Sequence, residues 1–189
     1  MDEKTLLDHE NAERILDEGW KLFQQKGYRG VTVDELFRCC GITKPTLYYY
    51  FQDKEALFVR VLSHRLHGFG QAFDRPGPLA QRLQDVALSL LGGFQADPAS
   101  LMRDREHIKK PANRQAIREA FHRELMGPLT RLMSQGIAEG ALKRDAPETL
   151  AVIFLGLISN FIGRAGEMKT DNAALAEKLA GYFLKGAGL

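Results

Sequence analysis

Residues 32–54 read TVDELFRCCGITKPTLYYYFQDK. Thr32 followed three residues later by Glu35 is a capping box, so a helix opens at Val33. Val33, Leu36 and Phe37 form its apolar side, and Gly41 ends it by supplying a positive φ in the turn. Thr43 then caps a second short helix, with Pro45 tolerated in the first turn. Leu47, Tyr50 and Phe51 anchor that helix inward, which leaves Lys44, Thr46, Tyr48 and Tyr49 outside. Two short helices joined by a tight turn, the second opening in a polar and basic tip, are laid out as a helix-turn-helix that reads DNA.

Helical periodicity continues on both sides. Ala12, Ile15, Leu16, Gly19, Leu22 and Phe23 mark a first amphipathic helix over residues 11–25, stopped by Gly27. Asp53 caps a fourth helix that carries Ala56, Leu57, Val61 and Leu62 on one face. Gly68, Gly70, Pro76 and Gly77 form the loosest ground. Beyond Pro78 the pattern predicts helices over 79–94, 98–110, 113–139 with a bend at Gly127-Pro128, 147–164 and 171–185. The fold class is all-α, with about nine helices and no convincing strand. The expected division is a helix-turn-helix DNA-binding domain over 1–53 and a larger helical regulatory and dimerisation domain over 54–189.

Composition bounds the function. The chain has 189 residues, 44% of them apolar, enough for one large or two small cores. The apolar run from Leu150 to Ile162 is too short for a membrane span and holds Ser159 and Asn160. The acidic start, MDEKTLLDHE, shows no signal peptide. Cys39 and Cys40 are adjacent, neither a CxxC nor a disulfide framework, which fits a cytoplasmic, reducing location. As neighbours on a helix they are expected to point apart and to pack as small apolar groups. Net charge is only +2, and the first sixty residues carry 9 basic against 11 acidic side chains. From Lys26 to Lys54 the balance turns to 5 basic against 3 acidic, so a DNA-binding face is a local arrangement.

The chemistry of that face follows from residue type. Lys44 can reach guanine O6 and N7 or a phosphate, Thr43 and Thr46 offer hydroxyls, and Pro45 adds rigid apolar surface. Tyr48 and Tyr49 can hydrogen-bond the duplex backbone, Thr32 caps beside a phosphate, and Lys54 is expected on a phosphate. Such contacts position the protein, whereas base contacts specify a sequence.

With these residues in register, positions 15–57 resemble the N-terminal domain of the TetR (tetracycline-repressor-like) family of transcriptional regulators. The matching stretch is ILDEGWKLFQQKGYRGVTVDELFRCCGITKPTLYYYFQDKEAL, about a quarter of the chain. The resemblance implies an all-helical homodimer with a three-helix head and a helical body, dimerising through helices 147–164 and 171–185. It implies a repressor released when a small-molecule effector enters the body; the mechanism expected is a dimer on a roughly palindromic double-stranded operator, with the effector pivoting the fourth helix. By similarity the DNA-binding residues are Thr32, Thr43, Lys44, Pro45, Thr46, Tyr48, Tyr49 and Lys54. Tyr50 stands where histidine is common, Pro45 where glycine is commoner, and Trp20 and Phe37 where alanine is typical. The last two enlarge small packing positions and either fill one another's space or widen the helix spacing.

The rest of the chain has no comparable signature. Phe94, Met102, Phe121, Leu125 and Met126, with Ile108 and Met133, are candidates to line an effector pocket, and ordinary core is the plainer reading. The stretch from Leu101 to Arg123 carries seven basic against three acidic residues. A solvated helix face explains it; attraction of an anionic effector or of DNA is the alternative. His64 and His67 share a helical face, but two ligands make no metal site. No cofactor is implied. No nucleophile motif or phosphate loop appears, so an enzyme is a poor reading. An activator or architectural DNA-binding protein would share the same head, and a helical protein–protein adaptor is the remaining rival.

Overall fold

The computed structural model describes residues 3–41, 43–94 and 104–188, and every regular element among them is helical. Among the described residues nine α-helices run in order: α1 (Glu3–Gly30), α2 (Val33–Cys40), α3 (Lys44–Phe51), α4 (Lys54–Gly70), α5 (Leu79–Gly93), α6 (Pro111–Phe121), α7 (Gly127–Ala138), α8 (Pro147–Ser159) and α9 (Asn172–Ala187). No helix among them is long and apolar enough to cross a membrane.

The fold makes two compact units. The first holds residues 3–65 and 104–119 and the second residues 66–94 and 120–188, counting described residues. The first unit thus takes in the first part of α4 and the segment 104–119, which runs through most of α6.

Three carboxylates explain that placement. Asp104 Oδ2 accepts the Tyr28 backbone N–H at 2.6 Å. Asp53 accepts from Lys110 Nζ at 2.6 Å. Glu55, buried, accepts from the backbone N–H groups of Lys109 (3.0 Å) and Lys110 (2.9 Å) and from Asn113 Nδ2 (2.8 Å). Desolvation pushes the Glu55 carboxyl up, but Asn113 and the two backbone donors outweigh it and hold it below the usual carboxylate value. The stabilisation is thus present above the ordinary carboxylate range and is lost as pH falls through the lowered one. Glu55→Ala leaves a buried site with two part-buried backbone N–H donors unpaired and should destabilise the protein by about 1–3 kcal/mol, read as a lower denaturation midpoint. A midpoint unchanged from wild type would mean that the segment is not held this way.

The core of the first unit is Ile15, Phe23, Leu36, Phe51, Leu57, Phe58 and Leu62, all buried. Phe23 meets Phe58 edge to face at 4.9 Å between centroids. Trp20, the enlarged position, is buried under the Arg65 guanidinium, 5.8 Å from its ring, and Arg65 also pairs with Asp17 at 3.2 Å. Phe37 is only half-buried. The bulk of Trp20 is therefore covered by the long side chain of Arg65. Trp20→Ala should cost about 3–5 kcal/mol in denaturant unfolding; a loss under about 1 kcal/mol would show that the site repacks.

In the second unit α9 packs on α5 and on α8, and α7 packs on α8. Phe154 and Phe183 meet at 5.0 Å in that core. At Gly127-Pro128, where a bend is predicted, the helix changes its hydrogen bonding. Proline has no N–H to return to Glu124, and residues His122–Met126 form a π-turn, with the Gly127 N–H bonded to the His122 carbonyl.

Boundaries moved elsewhere. α1 starts at Glu3, ahead of the predicted residue 11, and Gly27 at φ +67 breaks it as expected. The predicted helix over 98–110 lies outside the described residues up to 103; past that point it gives a single 3-10 turn at Arg105–His107. The following helix begins at Pro111 rather than Asn113, because proline suits a first helical turn. α8 stops at Ser159, and residues 160–170 form turns rather than extending to 164.

Candidate nucleic-acid interface

The head is set by its caps. Thr32 Oγ1 accepts the Glu35 N–H at 3.2 Å while Glu35 Oε2 accepts the Thr32 N–H at 2.9 Å, the reciprocal box predicted for this pair. Lys26, unremarked in the sequence, joins it through Glu35 Oε1. The Lys26 hydrogen bond, then those from Thr32, hold the Glu35 carboxyl down to about 2. Since the folded value is the lower one, this support is complete above about 4.5 and fades as pH drops toward 2. A carbon-detected NMR titration of Glu35 should find its midpoint near 2; a midpoint at the ordinary value of 4.5 would mean the box is open in solution. Gly41 closes α2 at φ +62, and its N–H reaches the Phe37 carbonyl.

α3 starts differently. Thr43 has the extended backbone of a cap, but its hydroxyl makes no bond to the helix backbone. It meets the Thr46 hydroxyl at 2.8 Å instead, which corrects the capping role expected for it. Pro45 lies in the first turn, no acidic residue is there, and Lys44 occupies the first helical position. A cation at a helix N-terminus works against the helix dipole by about 0.3–1 kcal/mol. The start of α3 is thus uncapped by side chain, positive and exposed, a combination poor for helix stability and suited to an anionic partner.

Exposure sorts the remaining residues. Lys44 and Pro45 are exposed and Thr46 half-buried. Tyr49 is 77% exposed and Tyr48 42%, whereas Phe51 is 4%. Tyr50 is intermediate, its ring against both Tyr49 and Phe51. The division of the aromatic run follows the predicted one.

Lys54 departs from expectation. Its Nζ donates to the Val31 carbonyl at 2.5 Å and sits 4.4 Å from the centre of the Tyr28 ring. Burial holds its ammonium below the ordinary lysine value, against the opposing pull of Asp104 and Glu35. In this structure Lys54 fastens the start of α4 to the turn ahead of α2 and is not a free phosphate ligand. Asp53 caps α4 as predicted, accepting the Ala56 N–H at 2.7 Å.

The cysteines also differ from the reading of their spacing. Cys40 is buried and Cys39 exposed, yet their sulfurs lie 3.5 Å apart. Side-chain rotation brings the two sulfurs together although their Cα–Cβ bonds diverge. Burial pushes both thiols up, so both stay protonated near neutrality.

Of the proposed pocket residues, Phe94 is buried and stacks on Phe69 at 4.8 Å, and Leu125 is buried. Phe121 and Met126 are half-buried, and Met102 lies outside the described residues. Phe94 and Leu125 have the surroundings of core side chains. His67 pairs with Glu124 at 3.1 Å, and no group of three or more potential metal ligands occurs among the described residues.

The same chain shares its sequence and fold with known proteins. The family model for bacterial regulatory proteins, tetR family, matches residues 15–61. The chain is 25% identical over 170 residues to the HTH-type transcriptional repressor NicS of Pseudomonas putida, covering 84% of this chain and 80% of that protein. A TetR-family regulator from Agrobacterium tumefaciens has the same fold, with a TM-score of 0.75 at 18% identity over 96% of this chain and 100% of that one. So does FadR of Bacillus subtilis in complex with stearoyl-CoA, with a TM-score of 0.72 at 17% identity over 92% of this chain and 98% of the other. From Ile15 to Val61 the chain carries a tetR-family helix-turn-helix head, and along almost its whole length it shares the helical fold of tetR-family regulators.

Proposed function

We propose that the protein is a cytoplasmic, homodimeric repressor that holds a roughly palindromic operator and lets it go when a small molecule binds the body. The start of α3 carries this reading: Lys44, Pro45, Thr46, Tyr48 and Tyr49 stand on the accessible side of a helix whose positive N-terminal end is left uncapped. In a major groove those residues meet base edges and phosphates, with Thr43 at the rim and Thr32 beside the backbone. Repression is the activity named for NicS, and a bound acyl-CoA is named for FadR, so both parts of the cycle have precedent in proteins of this sequence or fold.

Dimerisation fits the exposed apolar side of α8 and α9, where Val152, Ile153 and Tyr182 are 60%, 53% and 55% exposed. Two heads then occupy successive half-sites. Release requires an effector that prefers the state unable to bind DNA, since equal affinity for both states shifts nothing. α4 suits the coupling, because one uninterrupted helix carries Lys54 and Glu55 at its start and His67 and Phe69 near its end.

Selection of genomic fragments with the purified protein tests the reading. A recovered motif with two related half-sites, bound about 10³-fold or more above random duplex, is the expected result. Recovery of no motif would sink it. A reporter carrying the recovered motif separates repression from activation.

A further inference from the structure

The second unit holds a cavity of about 330 Å³ that the DNA-reading function does not use. It opens among the end of α4, the turn after it, α5, the π-turn and α7, and its polar wall is made by His67, Arg82, Arg123, Glu124, Arg131 and Gln135. Phe73, Pro128 and Leu132 supply an apolar side. The size suits a small organic molecule.

The charges in this wall are unevenly satisfied. Glu124 is fully engaged: one oxygen accepts from Arg123 Nε at 2.6 Å and the other pairs with His67 Nδ1 at 3.1 Å. Arg82 is held in place, donating to Gln135 Oε1 at 2.9 Å and to the Phe73 carbonyl at 3.4 Å, while its buried Nε has no hydrogen-bond partner. Arg131 has no acid partner among the described residues. Asp74 is the second carboxylate of the wall, set against three guanidiniums. The π-turn fixes this arrangement, since Arg123 and Glu124 both lie within it. Guanidinium groups present a planar fork that matches an oxyanion, and an immobilised fork gives up little freedom on binding.

We infer that this cavity binds a small oxyanion-bearing molecule, with Arg82 and Arg131 receiving the anion and Glu124 competing with it for Arg123 and His67. The inference rests on the effector-released repressor proposed above and gives that effector a chemical class. An anion that draws Arg123 and His67 away from Glu124 undoes the link between the π-turn and the last turns of α4. His67 is on that helix, so occupancy is felt along α4.

Calorimetric titration of the DNA-free dimer with benzoate, inorganic phosphate and the neutral benzamide tests the site, and the two charged arms separate a carboxylate from a phosphate source. Saturable binding of a charged probe, with benzamide silent, is expected. Arg131→Gln should weaken it tenfold or more, and Glu124→Gln, which removes the internal competitor, should tighten it. Opposite signs at two neighbouring wall positions are not what general loosening of the fold produces. Failure of both charged probes to bind, equal binding of benzamide, or indifference to both substitutions would overturn the site. Operator affinity is measured separately. Anion binding that leaves it unchanged removes the regulatory role, whereas a protein that selects no operator sinks the repressor reading and leaves the anion result standing.

Discussion

Lys44→Ala combined with Tyr49→Ala should abolish high-affinity operator binding while leaving the protein folded. Both residues lie on the open side of α3, Lys44 at the first helical position and Tyr49 with 77% of its surface exposed. The Lys44 side chain makes no hydrogen bond or ion pair among the described residues, and Tyr49 gives up only an edge contact with the Tyr50 ring. Exposed substitutions of this kind alter stability by no more than about 0.5 kcal/mol, and removing Lys44 relieves a cation from a helix N-terminus. On DNA the accounting reverses. A lysine contact to a guanine edge is worth about 1–3 kcal/mol, and loss of a backbone contact lowers affinity across all sequences. The two-fold symmetry of a dimer applies each loss twice. The double variant should therefore bind its operator at least a hundredfold more weakly, with a shallower dependence on salt. Fluorescence anisotropy with the selected operator, beside a denaturation curve, measures both effects. Unchanged affinity in a folded variant would mean that α3 is not the reading helix.

The same contrast separates what could be read along the chain from what could not. The head was legible because its signals are local. A capping box spans four residues, a positive φ belongs to Gly41, and the alternation of Tyr49 outside with Phe51 inside is a property of one turn of helix. Long-range choices were not legible. Lys54 is a basic residue in the right place for phosphate until the Val31 carbonyl and the Tyr28 ring, twenty or more residues earlier, take its ammonium. One local choice also escaped the reading: the Thr43 hydroxyl meets Thr46, three residues on, and makes no bond to the helix backbone. Glu55 reads as an unremarkable helical glutamate, yet it holds two backbone N–H groups more than fifty positions away. The arginine-lined cavity was signalled only in part: Arg123 ends the basic stretch that begins at Leu101, but Arg82 and Arg131 come from other elements and the three meet only in the fold.

Ile153→Asp should convert the protein to monomers and remove operator binding with them. α8 is apolar on every side: Leu150, Ala151, Phe154 and Ile158 fill the core of the second unit, while Val152 and Ile153 remain 60% and 53% exposed. A helix apolar all round is stable in water only when both sides are covered. Tyr182 on α9 adds to the same exposed set, and Gly156 and Gly181 have open space where a side chain would stand, which lets another helix approach closely. In the proposed dimer a second copy would supply the cover with an identical face, so that each side chain near the two-fold axis would be buried twice. An aspartate there must be desolvated without a partner in both subunits, at a cost of several kcal/mol each. Because Ile153 is outside the core of its own subunit, the isolated fold should keep its helical signal. Sedimentation should then report the subunit mass of 21.2 kDa in place of a dimer. DNA binding should fall to the level of a single head, since two half-sites are no longer held by one particle. If Ile153→Asp remains dimeric at micromolar concentration, the subunits meet through another surface, and the exposed side of α8 needs a different occupant.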